Sequence, residues 1–252
     1  MKNIKNLLYG VYGSILAMGL LAASPAHALV TEGDASAFVV QAAFHDDPFF
    51  GPVPYSSVSG NGADADSIAS VNFGSILSTG LLSTSAFSNV DGTPGSKTAT
   101  SSASIADVEL NLAHALGLSF DLISSNSTVT GDAGSFSAIG SSSIVNLAGF
   151  GLLSGLNNVV ITGVANQTLF NLFGIEVIAN RQTSACTATD CFITTDALYV
   201  DVWGKKNLTI ASSTAHLAAP VPEPETAALM MLGLAGLVGS KRLRSKVMRT
   251  AA

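Results

Sequence analysis

Apolar and polar positions alternate in steps of two along much of the chain. Val108, Leu110 and Leu112 are interleaved with Asp107, Glu109 and Asn111, and Leu198, Val200 and Val202 with Tyr199, Asp201 and Trp203. Val159 with Ile161, Ile175 with Val177, and Leu208 with Ile210 continue the pattern. A period of two puts every second side chain on one face of an extended strand, whereas a helix would need apolar positions three and four apart. Gly60-Asn61-Gly62, Asp91-Gly92-Thr93-Pro94-Gly95 and Thr130-Gly131-Asp132 interrupt the runs with residue types suited to turns. The pattern predicts an all-β domain with a strand roughly every ten residues and one face of each strand buried.

Two arrangements compete. The Ser/Ala/Gly-rich stretches Ser67–Asn89 and Thr98–Val145 could stack as coils of a β-solenoid, but no fixed repeat runs through them. An antiparallel, sandwich-like arrangement of two sheets is the better expectation, with the solenoid as alternative. Gln41–Ser59, which carries Pro48, Pro52 and Pro54, reads as a long loop or irregular edge.

The ends follow other rules. Lys2 and Lys5 precede an apolar run from Leu7 to Ala23, Ser24-Pro25 breaks it, and Ala26-His27-Ala28 places small residues before Leu29. That is the layout of a secretory signal peptide, so residues 1–28 are expected to enter the Sec translocon as a helix and to be cut by signal peptidase between Ala28 and Leu29. At the other end, Val221-Pro222-Glu223-Pro224 leads through Glu225-Thr226 into an apolar stretch from Ala227 to Gly239, followed by Lys241, Arg242, Arg244 and Lys246. The prolines hold the motif extended. The apolar stretch is expected to insert as a helix whose basic flank stays cytoplasmic. At ~1.5 Å per residue it spans about 20 Å, short of the roughly 30 Å hydrocarbon core. That length suits a transient sorting helix better than a permanent anchor.

Residues 221–252 resemble the PEP-CTERM sorting signal in the order of motif, apolar helix and basic cluster. The resemblance implies recognition of Pro222-Glu223-Pro224 by an exosortase, cleavage nearby, and release or transfer of the ectodomain, residues 29–220. It also implies a Gram-negative, polysaccharide-producing source. Within the ectodomain, Ser143-Ile144-Val145-Asn146-Leu147, the Val159–Thr168 run, Ile175–Arg181 and the Ala197–Val202 strand resemble the choice-of-anchor P group of bacterial surface domains. That group joins one ectodomain to different C-terminal anchors and implies no catalytic residues.

Charge narrows the partners. Seven of the eleven basic residues lie in the two end segments, leaving Lys97, Arg181, Lys205 and Lys206 against fifteen carboxylates between Leu29 and Pro220. A body this acidic repels nucleic acid. Charged residues make up 11% of the chain, and Ser, Thr, Ala and Gly fill their place, so the outward strand faces are expected to be hydroxylated rather than charged.

Candidate chemistry is sparse. Cys186 and Cys191 are the two cysteines of an exported chain and are expected to form a disulfide across a hairpin tip, between a strand ending near Arg181 and one starting near Phe192. His45, His114 and His216 show no metal-ligand spacing, and no Gly-x-Ser-x-Gly elbow is present, so no catalytic or metal site and no cofactor is assigned. Gly60-Asn61-Gly62-Ala63-Asp64-Ala65-Asp66 resembles a single calcium-binding turn, with a solvated turn as the plainer reading. Phe44, Phe49, Phe50 and Tyr55, and Tyr199 with Trp203, could stack on sugars but by default pack or anchor loops. The resulting expectation is a non-enzymatic surface or extracellular-matrix component associated with exopolysaccharide. A carbohydrate-binding module or a secreted hydrolase are the alternatives.

Overall fold

The computed structural model describes residues 29–44, 47–74, 77–113, 116–132 and 134–220. Ala26, Ala28, the Val221–Pro224 motif, the basic residues Lys241, Arg242, Arg244 and Lys246, and both terminal helices expected from the sequence lie outside them, as do His45 and His114. Leu29–Pro220 forms one compact unit.

Among the described residues fourteen strands build two antiparallel sheets. The first holds six, in the order β11 (Gln167–Leu172), β12 (Ile175–Cys186), β13 (Asp190–Val202), β14 (Lys206–Ala218), β1 (Glu32–Phe44) and β2 (Asp47–Ser59). The second is centred on β7 (Lys97–Ala113) and β8 (Leu116–Asp132). On one side β6 (Leu82–Asn89) and β3 (Asn61–Ile68) extend it, beside the short β4 (Asn72–Phe73) and β5 (Leu77–Ser78). On the other side β9 (Ser135–Val145) and β10 (Ala148–Gly151) share the free edge of β8. Every strand pairing is antiparallel, which excludes the solenoid, because stacked coils pair in parallel.

Several elements differ from the sequence expectation. Of Gln41–Ser59, Gln41–Phe44 belong to β1 and Asp47–Ser59 form β2, so the loop reading falls and the irregular edge holds. β2 is an edge strand with register shifts against β1, and Pro52 and Pro54 are tolerated because one side needs no ladder bonds. The segment from Val159 to Val164 is not a strand; it follows a 3-10 turn at Ser154–Asn158, and Val159 and Ile161 instead pack against the core. Strands also run longer than expected, with β7 and β8 reaching 17 residues each. Thr130-Gly131-Asp132 belongs to β8, and the β8–β9 turn comes at Gly134.

The two sheets pack face to face, and the alternation slips phase once in each long strand. Along β7 the buried side is Ala99, Ser101, Ala103 and Ile105, then Val108 and Leu110. In β8 it is Leu118 and Phe120, then Ile123, Ser125, Ser127 and Val129. The same slip occurs between Val39 and Val40, Ala197 and Leu198, and Ile210 and Ser213. Asp107, Asn180 and Ala211 absorb it with left-handed backbones, at φ 51°, 51° and 52°. β12, β13, β14 and β1 carry the extra residue on one transverse row, as do β7 and β8 in the other sheet, so the register survives: Ala179 faces Leu198 before the row and Arg181 faces Asp196 after it.

This row divides the core into two halves. On one side lie large apolar chains, among them Phe120, Leu110, Leu118, Leu153, Leu198 and Ile210, each under 3% exposed. On the other side the facing residues are small and hydroxylated, which brings the sheets close enough for side chains to bond across. Ser127 Oγ lies 2.9 Å from both Thr195 Oγ1 and the Ser213 carbonyl, and it accepts from Ser213 Oγ at 3.0 Å. Ser101 Oγ donates to the Thr214 carbonyl at 2.8 Å, and Ser56 pairs with Thr84 at 2.6 Å. A Cβ on Gly140 would stand 2.3 Å from Thr195 Oγ1, so this approach admits only glycine there. Each such bond contributes about 0.5–1.5 kcal/mol net, less per residue than apolar burial, but it fixes which faces meet.

Candidate functional site

The outer face of the eight-stranded sheet is a lattice of uncharged hydroxyls. Because β6, β7, β8 and β9 pair in register, Ser83, Ser104, Ser124 and Ser143 form one transverse row, and Ser85, Ser102, Asn126 and Ser141 the next. Neighbouring positions are separated by ~4.8 Å across the strands and ~6.8 Å along them. Ser83 bonds Ser104 at 2.7 Å and Ser85 bonds Ser102 at 2.8 Å. The hydroxyls of Ser124, Ser141 and Ser143 have no partner among the described residues. A shallow depression of about 300 Å³ runs between Ser102, Ser104, Ser124, Asn126, Ser141 and Ser143.

Apolar residues border this lattice on both sides. Leu81, Leu122 and Val145 are exposed along one border, and Phe87 and Ile139 along the other. A row of hydroxyls between apolar rails offers donors, acceptors and dry contact, but no charge. That suits a neutral, polyhydroxylated ligand rather than an anion or a metal ion. The sequence hinted at it only through serine abundance; the register that aligns the serines comes from the fold.

No hydrolytic pair forms with these serines among the described residues. His216 lies on the six-stranded sheet, between β1 and β13, with Nδ1 3.3 Å from Asp34 Oδ2 and Nε2 3.0 Å from Asp190 Oδ2. Partial burial pulls its pKa down, but hydrogen bonds to Asp190 and Asp34 and their negative charges outweigh this, so the net shift is upward from 6.5. The folded state therefore holds the proton more tightly than the unfolded chain. The linked stability is fully present below the unfolded value of about 6.5 and is lost as pH rises through the raised folded value. Urea midpoints measured from mildly acidic to mildly alkaline pH should fall across that window, and His216→Gln should flatten the fall.

The other sequence candidates take definite places. Cys186 and Cys191 form a disulfide, on paired positions of β12 and β13. β12 continues past Arg181 to Cys186, so the bond ties the last pair of the ladder rather than a separate loop. Gly60–Asp66 forms no calcium turn: only Gly60 turns, at φ 80°, and Asp64 and Asp66 sit on the extended strand β3. Asp64 Oδ2 there accepts the Ser57 N–H at 2.9 Å. No group of three metal-binding side chains occurs among the described residues. Phe50 packs against the core and Tyr55 is 47% exposed.

Tyr199 and Trp203 do not share a platform. The Tyr199 ring lies 3.6 Å beneath the Arg181 guanidinium, whereas Trp203 sits at the β13–β14 turn, 66% exposed, against Gly174. Phe173, 71% exposed, caps the neighbouring turn. Among the described residues no helix is long and apolar enough to cross a membrane.

The described domain thus carries an uncharged hydroxyl face but nothing that says where the protein goes. Residues 220–243 match the family model for the PEP-CTERM protein-sorting motif. The chain carries a PEP-CTERM motif. The match takes in Val221, Pro222, Glu223, Pro224, Lys241 and Arg242, while Arg244 and Lys246 lie beyond it. A PEP-CTERM motif marks an exported protein sorted through its C-terminal segment and implies exosortase-type processing.

No curated protein matches the chain. Among solved structures, Ail, the attachment invasion locus protein of Yersinia pestis, is similar at 6% identity and a TM-score of 0.18, over 76% of this chain and 99% of Ail. Neisserial surface protein A is similar at 9% identity and a TM-score of 0.14, over 74% of this chain and 96% of its own. Likeness at that level carries no argument about fold or function.

Proposed function

We propose that this PEP-CTERM protein is a non-enzymatic component of the cell surface or extracellular matrix, and that it holds neutral exopolysaccharide on the hydroxyl face of its eight-stranded sheet. The observation that carries the reading is the in-register lattice of Ser83, Ser104, Ser124 and Ser143 with Ser85, Ser102, Asn126 and Ser141, which contains no charge although the domain is acidic. The resemblance of residues 99–217 to choice-of-anchor P surface domains supports the surface placement and nothing sharper. Export by the Sec route, signal-peptide removal before Leu29 and exosortase processing would deliver the domain to that polymer.

Co-sedimentation of the mature protein with the host's purified exopolysaccharide tests it. Binding should resist added salt, since no ion pairs are involved, and a Ser102→Glu/Ser124→Glu variant should lose it. Failure of the wild-type protein to sediment with the polymer would end this reading. A second reading, a carbohydrate-binding module that uses Trp203 and Phe173, rests on their joint exposure at adjacent turns. Trp203 is the one tryptophan of the chain, so quenching of its fluorescence by the polymer would favour that surface over the hydroxyl face.

A further inference from the structure

The molecule treats its sheet edges unequally. On one flank the edges are β2 and β3. β2 carries Pro48, Pro52 and Pro54, which lack the N–H a new strand would bond. β3 carries Asp64 and Asp66, and Asp64 closes the corner by accepting the Ser57 N–H. On the other flank, the six-stranded sheet ends in the short, bulged β11. Beyond it, the side chain of Asn166 covers the β12 edge at Gln182, accepting its N–H at 2.9 Å and donating to its carbonyl at 3.3 Å. Proline, charge, bulges and covering loops are the usual ways in which a fold blocks edge-to-edge pairing.

β9 has none of them. Its sequence, Ser135-Phe136-Ser137-Ala138-Ile139-Gly140-Ser141-Ser142-Ser143-Ile144-Val145, contains no charge and no proline, and its 11 residues pair along their length with β8 without a bulge. Among the described residues no second strand pairs with it. One side-chain bond reaches its backbone, from Gln182 Nε2 to the Gly140 carbonyl at 3.0 Å, and a carbonyl has a second lone pair.

We infer that β9 is a self-association edge, which pairs antiparallel with β9 of a second copy about a two-fold axis at Gly140 and joins two eight-stranded sheets into one. The strand is complementary to itself in that register. Gly140 meets Gly140, and Ile139 meets Ser141. Ser137 meets Ser143, and Ser135 meets Val145, so no charges oppose anywhere along the seam, and hydroxyl faces hydroxyl where Ser137 meets Ser143. A two-fold is the symmetry in which one patch serves both partners and the assembly closes. About ten backbone hydrogen bonds would form along it. The row ending in Ser143 would run on through Ser137 of the second copy, while the row ending in Ser141 would meet its Ile139, so the hydroxyl face would be extended along one row. The association rests on the edge and not on what that face binds.

Sedimentation equilibrium of the mature protein, without polysaccharide, over a wide concentration range tests the inference. The expected result is a species of twice the monomer mass that dissociates on dilution. Ile139→Lys should shift it to monomer, while Ala65→Lys on β3 should leave it dimeric. Ile139 is 64% exposed, so the lysine is compatible with folding, and an unchanged circular dichroism melt would show this. A Ser137→Cys/Ser143→Cys protein should oxidise to a covalent dimer, because those positions lie ~20 Å apart within one strand but adjacent across the seam. Monomer at every concentration would overturn the inference, as would a dimer indifferent to Ile139→Lys. Polysaccharide binding by a monomeric wild type would separate the failure of this edge from that of the hydroxyl face.

Discussion

Replacing Pro222-Glu223-Pro224 by three alanines should leave the tail, through Ala252, on the exported protein. The PEP-CTERM match begins two residues before that triplet, and the apolar segment and first basic residues fall inside it. Proline on both sides of Glu223 disfavours a helix at the triplet, and an extended substrate is the form a processing enzyme can thread. Alanine removes that constraint. Intact mass of the protein from its own host reads the result. The wild type should end near Pro222–Pro224, whereas the variant, and the wild type in a strain without exosortase, should retain the tail. If the retained tail inserts in the membrane, as its apolar run and basic flank lead one to expect, the yield in the matrix should fall almost to nothing. A variant that still loses its tail would move recognition to the helix or to Lys241 and Arg242.

That outcome concerns a segment readable from sequence alone, and the reason is physical. Sorting signals act before or apart from folding, so order and spacing along the chain are their whole content. The β domain was legible only in part. Alternation at Val108-Leu110 and Leu198-Val200 identified strands, because a strand face is a local property. The slip at Asp107, Asn180 and Ala211 was not legible, since each extra residue is tolerated only because its neighbours carry one on the same row. Gln41–Ser59 read as a loop or an irregular edge for a similar reason: prolines forbid a central strand, and only the fold decides for the edge.

The hydroxyl face lay between these cases. The serines of residues 98–145 were visible as composition, and an uncharged exterior followed from it. Which serines share a row depends on the pairings of β6, β7, β8 and β9, and those are set by the three connections that join the four strands. Serine also serves two ends within one strand. Ser101, Ser125 and Ser127 point inward and let the sheets approach, while Ser102, Ser104 and Ser124 point outward. Of the inward set, Ser101 and Ser127 bond across to the other sheet, but Ser125 Oγ has no partner. Sequence cannot tell these roles apart, because alternation makes both look alike.

The largest stability loss expected from one polar substitution comes from Arg181→Ala. Asp196, 3% exposed on β13, accepts from Arg181 Nε at 2.8 Å, from Nη2 at 2.6 Å and from Ser212 Oγ at 2.6 Å. The Arg181 side chain keeps 35% of its surface in water and covers the Tyr199 ring. Removing the arginine leaves a buried carboxylate with one hydroxyl to face it, a loss of about 3 kcal/mol. The lost cation–π contact adds about 0.5–1 kcal/mol. For a domain of this size that lowers Tm by about 10 °C. Asp196→Asn should cost less, since the amide oxygen still accepts one bond and the guanidinium it deserts can turn to solvent. Arg181→Met with Asp196→Leu should recover most of the loss, because neither charge is then stranded. Urea unfolding of the three variants orders them. If Asp196→Asn proved the costlier single change, the burden would lie with the guanidinium, and the stranded-carboxylate account would fail.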